Sequence, residues 1–373
     1  MTLVLTEEQT MLNEAATGLL SESWSVSDLR ELRDSAPAKA YSEPLWQSMA
    51  EHGWVGIVVP EQLGGVGFDH VGLGQISQQI GQSLCVSPFF ATAIVGVNLI
   101  LQSASESQKQ DWLPEIIAGN TTLALALDES RHFSPQHVEA TAVKQAEGYV
   151  LNGEKRFVID APCADQFIVV ARDAGKMCLL LVDANSPGVT VERTTMVDSG
   201  NAGLVKLNNV SVSADRLLQA SDDIEAALAR ILSIANIHLA AELLGISIEV
   251  MGRTKEYLQE RKQFGVPIGM FQALQHRAAH LWSEIELGKS IVLAALQAID
   301  ANEGDLQVLA SATKAKLCEI AELATNEGIQ MHGGIGMTDE FDIGFFIKRA
   351  RTAQTLFGGR SYHLNQFAKS NMY

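Results

Sequence analysis

The hydrophobic period of this chain changes twice, and that change restricts the fold more than any other feature of the sequence. Up to about residue 119, apolar residues recur at helical spacing, as in Met11, Leu12, Ala15 and Leu19, then Leu45, Trp46 and Met49, then Leu73, Ile76, Ile80 and Leu84. Thr6-Glu7-Glu8-Gln9 has the form of a capping box at the first helix start. The glycine turn Gly64-Gly65-Val66-Gly67 leads into the third of these stripes. From about Thr121 to Leu218 the pattern becomes short Val-, Ile- and Leu-rich runs broken by turn residues, among them Phe167-Ile168-Val169-Val170-Ala171 and Cys178-Leu179-Leu180-Leu181-Val182. Asn152-Gly153 reads as a hairpin turn, since both residues tolerate positive φ. After Asp222 the helical period returns, with Leu274, Ala278, Leu281, Ile285 and Val292 on one face. A chain patterned this way is α+β and multidomain. The expected divisions are a helical domain over 1–119, a β-barrel-like domain over 120–220 and a helical bundle over 221–373.

A length of 373 residues is too great for one simple core, and 47% apolar residues supply enough material for several. The formal net charge of −17 repels nucleic acid and anionic membrane, so a phosphate-bearing ligand has to be gripped by local arginines. Cys85, Cys163, Cys178 and Cys318 are scattered, without metal-site or disulfide spacing, and read as buried thiols in a reducing compartment. The start of the sequence lacks the basic and apolar regions of a secretory signal, and no uninterrupted apolar run reaches membrane-spanning length. The expectation is a cytoplasmic protein with no membrane insertion and no nucleic-acid partner.

Two stretches carry chemistry. Glu260-Arg261-Lys262-Gln263-Phe264-Gly265-Val266-Pro267-Ile268-Gly269-Met270-Phe271-Gln272 closes one long helix and opens the next, which holds Arg261 and Gln272 on either side of a rigid turn. A planar guanidinium meets diphosphate oxygens in pairs, and a carboxamide both donates to and accepts from a nucleotide. Downstream stands Gln330-Met331-His332-Gly333-Gly334-Ile335-Gly336. Together with Trp54-Val55-Gly56-Ile57-Val58-Val59-Pro60-Glu61-Gln62-Leu63-Gly64-Gly65 near the start, these motifs resemble the acyl-CoA dehydrogenase family along essentially the whole chain.

The resemblance implies FAD as cofactor, an acyl-CoA thioester as substrate, and a three-domain fold whose last domain is a four-helix bundle. It also implies that a glutamate removes the α-proton while the β-hydride passes to flavin N5, and that electrons leave to an electron-transfer flavoprotein. In the commoner family arrangement the base follows the glycine motif by about seven helical turns. That position is Gly358, followed by Gly359. In the other arrangement the base lies ten residues before a helix glycine that matches Gly245, and Ala235 stands there. Neither residue can accept a proton. Glu242, about two turns beyond Ala235 on the same helix, is the displaced candidate; a structural pairing with an arginine is the competing expectation. His332 reads as a packing or hydrogen-bonding residue.

The β domain departs from the family pattern as well. Where relatives carry threonine and serine against the flavin, this chain has Leu127 and Phe133 within Leu127-Asp128-Glu129-Ser130-Arg131-His132-Phe133. The strand that usually offers a hydroxyl to the ring reads Phe157-Val158-Ile159-Asp160. Kept instead are Arg261, Phe264, Gln272, Gln330, Gly333 and Gly334, which in homotetrameric relatives hold the adenosine diphosphate half of a neighbouring subunit's FAD. This split implies the partner subunit of a heteromeric acyl-CoA dehydrogenase, α2β2 with a catalytic homologue, of the kind found in lipid or steroid breakdown. Two alternatives stand beside it: a self-sufficient homo-oligomeric enzyme using Glu242 or a base-independent CoA-thioester reaction, and a non-catalytic scaffold.

Overall fold

A computed structural model describes residues 3–37, 39–218 and 223–372. The order of elements is helical, then strand-rich, then helical. The first helices are α1 (Glu7–Ser23), α2 (Val26–Ser35), α3 (Glu43–Glu51), α4 (His70–Ser83), α5 (Val97–Ser103) and α6 (Glu106–Ile117). The strands are β1 (Leu123–Ala126), β2 (Thr141–Gln145), β3 (Gly148–Ile159), β4 (Gln166–Asp173), β5 (Lys176–Asp183), β6 (Val189–Thr195) and β7 (Asn201–Ser213). Then follow α7 (Ile224–Glu260), a short hairpin of β8 (Lys262–Gln263) and β9 (Val266–Pro267), α8 (Gln272–Ala301), α9 (Leu306–His332), α10 (Ile343–Thr355) and α11 (Arg360–Ser370). This is the expected architecture of N-terminal helices, middle sheet and C-terminal bundle. Residues 119 and 120 lie in the connection from α6 to β1, and the expected boundary at 220/221 lies outside the described residues. Contacts fall into two compact units, one of Met1–Arg30, His70–Cys85 and Asn236–Tyr373, the other of Glu31–Asp69 and Val86–Ala235.

In the second unit the sheet runs β1-β4-β2-β3-β7-β6, with β5 added beside β4. Its core alternates by strand period: Phe167, Val169 and Ala171 of β4 meet Leu180 and Val182 of β5, with Leu151, Val205 and Leu207 alongside. Asn152-Gly153 is not a hairpin turn, contrary to expectation. The two-residue turn falls at Ala146-Glu147, between the paired Gln145 and Gly148, and β3 continues through Asn152. The signal at Asn152 belongs to a bulge: β7 carries the extra residue Asn209 at φ +52°, whose amide donates to Asn152 Oδ1 at 2.8 Å. Across it the inward residues of β7 change from Val205 and Leu207 to Val210 and Val212. A second irregularity in β3, between Lys155 and Val158, places Phe157 at φ +48°.

In the first unit, the capping box at Thr6 and Gln9 forms as expected, with both reciprocal bonds present. The buried stripe of α1 is shifted from the expected one. Met11 and Ala15 face solvent, while Ala16 and Leu20 are buried. The cause is polar: Asn13 donates to Gln75 Oε1 and accepts from Gln79 of α4, so the contact face includes residues that an apolar count passes over. Helices α4 and α7 cross at glycines because their backbones nearly touch. A Cβ on Gly81 would stand 2.1 Å from the Glu242 carbonyl oxygen, and one on Gly245 1.9 Å from that of Gln78. This crossing sets the height of Glu242 in the unit. By length and hydropathy α7 could cross a membrane, but 94% of its most apolar window is buried within the fold, as a core helix would be. All four cysteines are buried and none is in a disulfide, and burial pushes the Cys178 thiol up to about 11.

Candidate functional site

The nucleotide-binding candidates gather where α7 ends and α9 ends. Tyr257, one turn before Arg261, stacks on His332, the residue before Gly333, with ring centroids 4.4 Å apart. His332 donates through Nδ1 to the Gly328 carbonyl at 2.7 Å, and Phe341 packs against both rings, 4.9 Å from His332 and 6.2 Å from Tyr257. Two motifs far apart in sequence are thereby locked together by one aromatic stack. Arg277 of α8 adds a two-pronged ion pair to Glu327 of α9, at 2.5 and 3.0 Å, one turn from Gln272 and Gln330 respectively. Between α7 and α8 the chain makes a tight hairpin in which Phe264 and Gly265 both have positive φ, +52° and +83°, the signature of a type I′ turn. A phenylalanine in this region costs about 1 kcal/mol or more in strain, and its ring is 92% exposed. Arg261, Gln272, Gln330, Gly333 and Gly334 are exposed too, and the Arg261 guanidinium makes no ion pair among the described residues. Gly333 takes φ +66° with ψ −141°, a backbone open essentially to glycine alone. Strain, exposure and a cation without a partner on one tightly braced edge are the features of a surface waiting for an anionic ligand.

The two positions at which the resemblance leads one to expect a base, 235 and 358, hold nothing that titrates. Ala235 is wholly buried on α7. Gly358 lies in the turn between α10 and α11 at φ +99°, buried. Glu242 is 3% exposed, and its Oε1 accepts from Arg349 Nε at 2.5 Å. The carboxylate is thereby directed at α10. Arg349 lies 107 residues from Glu242 in the chain, which is why spacing does not identify it as the partner; the basic run Lys348-Arg349-Ala350-Arg351 is the only signal the sequence offers for it.

The stretch Leu127–Phe133 is organised around a different charge pair. Lys155 of β3 is fully buried and donates from Nζ to Glu129 Oε1 at 2.6 Å and to the Leu127 carbonyl at 3.1 Å. Glu129 also takes the amides of Glu139 and Ala140. The single hydroxyl of the stretch, Ser130, is spent within its own turn on the His132 carbonyl. Asp128 beside it has a buried Oδ1 that takes no hydrogen bond from the protein, and burial pushes its carboxyl up to about 6 against the opposing pull of Lys155. A raised folded-state value adds stability below the unfolded value near 4 and loses it as pH rises through about 6. Asp128→Asn is therefore expected to exceed the wild type by on the order of 2 kcal/mol at pH 7–8, with the two converging below pH 4. Denaturant melts at the two pH values check this; a constant gap would remove the titration from the account.

Sequence comparison then decides the family. The chain matches the descriptions "Acyl-CoA dehydrogenase, N-terminal domain" over residues 6–120, "Acyl-CoA dehydrogenase, middle domain" over 124–210 and "Acyl-CoA dehydrogenase, C-terminal domain" over 224–372. The chain belongs to the acyl-CoA dehydrogenase family. A relative named acyl-CoA dehydrogenase from Bacillus subtilis is 29% identical over 374 residues, covering 95% of each chain. Among solved structures the chain is similar to a Tcur3481-Tcur3483 steroid ACAD variant, with TM-score 0.89, 29% identity and 98% of each chain covered. It is similar in fold to a chain of the ChsE4-ChsE5 complex from Mycobacterium tuberculosis, with TM-score 0.91, 22% identity, and 100% and 99% covered.

FAD is the cofactor of this acyl-CoA dehydrogenase family. Its fit to the chain divides by location. The exposed guanidinium, carboxamides and glycine loop at the ends of α7 and α9 suit the diphosphate and adenosine half. The Leu127–Phe133 and Phe157–Asp160 segments do not suit the flavin ring, because their positions facing a ring would offer leucine, phenylalanine and isoleucine in place of hydroxyls. A polar ring edge buried without donors forfeits about 1–3 kcal/mol for each unsatisfied group.

Proposed function

We propose that this chain is the non-catalytic member of a heteromeric, cytoplasmic acyl-CoA dehydrogenase, assembled as α2β2 with a homologue that holds the flavin ring and supplies the glutamate base. FAD supplies the hydride acceptor in such an enzyme. This chain contributes Arg261 to the diphosphate, Gln272 and Gln330 to polar atoms of the nucleotide, Phe264 as an apolar wall, and Gly333 and Gly334 as close-approach backbone. The single observation that carries the reading is the coexistence of a strained, exposed and partnerless clamp with a base position occupied by glycine. The similarity to a two-component steroid ACAD supports it and favours a bulky acyl group on the CoA thioester. Reoxidation by an electron-transfer flavoprotein belongs to the same reading. A self-sufficient enzyme that used Glu242 as its base would need that carboxylate free to take a proton, whereas it is engaged by Arg349.

Co-expression with candidate homologous partners, followed by flavin absorbance, tests this. The chain alone should purify colourless and the complex yellow. Arg261→Ala should weaken FAD retention by the complex about 10- to 100-fold, the worth of one charge-assisted phosphate contact. A yellow, active homo-oligomer of this chain alone would refute the proposal. Unaltered flavin content in the Arg261→Ala complex would leave a scaffold that never touches the nucleotide.

A further inference from the structure

Gly358 is more than an absent carboxylate, because the space a side chain would use there is filled. An ideal Cβ on Gly358 would stand 2.4 Å from Tyr362 Cδ1 and 3.0 Å from its Cε1 and Cγ. Such distances lie inside carbon–carbon contact, so the ring lies along the direction in which a residue at 358 would extend. Tyr362 sits in the first turn of α11, with its ring edge-on to His363 at 5.2 Å and 89°.

The turn that presents Gly358 is itself held by three buried donors. Lys314 of α9, fully buried, donates from Nζ to the Leu356 carbonyl at 3.0 Å and to Asn236 Oδ1 at 3.2 Å. Asn236 of α7 donates to the Phe357 carbonyl at 3.4 Å, and His363 Nε2 lies 3.2 Å from that same oxygen. Burial, with the nearby Lys314 charge second, lowers His363 to about 3, so it is a neutral ring that carries its proton on Nε2 and can accept at Nδ1 from Ser311, 3.4 Å away. Phe357 and Gly358 are both at positive φ, +53° and +99°. A turn pinned on two carbonyls in this unusual backbone has no freedom to swing Gly358 away from the tyrosine.

We propose that Tyr362 is a plug, a specificity-determining residue whose ring stands where a proton-accepting side chain and the α-carbon of an acyl thioester would have to meet. Acyl-CoA is then taken by the partner's site alone. This rests on the reading of Gly358 as the vacated base position. It also implies that restoring a glutamate at 358 would not restore a site, since both the backbone angle and the ring oppose it.

The test is calorimetric titration of the full-length chain with S-octyl-CoA, an unreactive thioether. Wild type should show no saturable uptake. Tyr362→Gly, or Tyr362→Ala if the glycine variant does not fold, should take up one equivalent per chain. One equivalent bound by wild type would overturn the proposal, as would a folded variant at 362 that binds none. The outcomes separate from those of the parent reading: a colourless chain that binds the thioether defeats the plug alone, whereas a yellow and active one defeats the subunit assignment.

Discussion

Lys155→Met is expected to lower stability by about 3–5 kcal/mol, the usual consequence of stranding one member of a buried ion pair. Lys155 is fully buried and Glu129 has only 7% of its side chain exposed, so water cannot replace the lost ammonium. The methionine fills similar space, which separates the charge effect from a cavity effect. The measurement is the denaturant midpoint at unchanged slope. Lys155→Met combined with Glu129→Gln should recover most of the loss, because removing both charges also removes their desolvation cost. A single-variant loss below about 1 kcal/mol would mean that the pair is not buried in the sense argued.

A comparable loss, about 3–5 kcal/mol, is expected of Arg349→Met, which leaves the Glu242 carboxylate buried without its guanidinium. Pairing Arg349→Met with Glu242→Gln should restore much of it. The same residues separate structure from chemistry. In the assembled enzyme Glu242→Gln should lower the melting temperature and leave turnover unaltered. A hundredfold fall in turnover with an unchanged melting temperature would make Glu242 the base and return the self-sufficient enzyme to consideration.

Local features were largely legible in the sequence. The change of period from helix to strand and back located the strands and the long helices, because side-chain burial imposes its spacing on the residues themselves. The capping box at Thr6 needed only residues three apart. The turn after Arg261 was legible as a rigid connection, though its detailed form, a β hairpin with Phe264 in the left-handed region, was not, since phenylalanine rarely takes that conformation. Asn152-Gly153 misled for a related reason. Residues that tolerate unusual backbone angles serve bulges as readily as turns, and only the pairing of β3 with β7 distinguishes them. The stripe on α1 was displaced because Gln75, Gln79 and Asn13 satisfy one another across a helix contact.

The sequence by itself determined the family, the order of helical and sheet regions, and the presence at 235 and 358 of an alanine and a glycine, which carry no proton acceptor, since each of these is a property of residue type and spacing. Tertiary structure alone decided what those residues meet. It paired Glu242 with Arg349 and Lys155 with Glu129, stacked Tyr257 on His332, and laid the Tyr362 ring across Gly358. The physical reason is that charge pairing and steric exclusion depend on distances of a few ångströms between segments, and the chain reaches those distances only once its helices and sheet have packed.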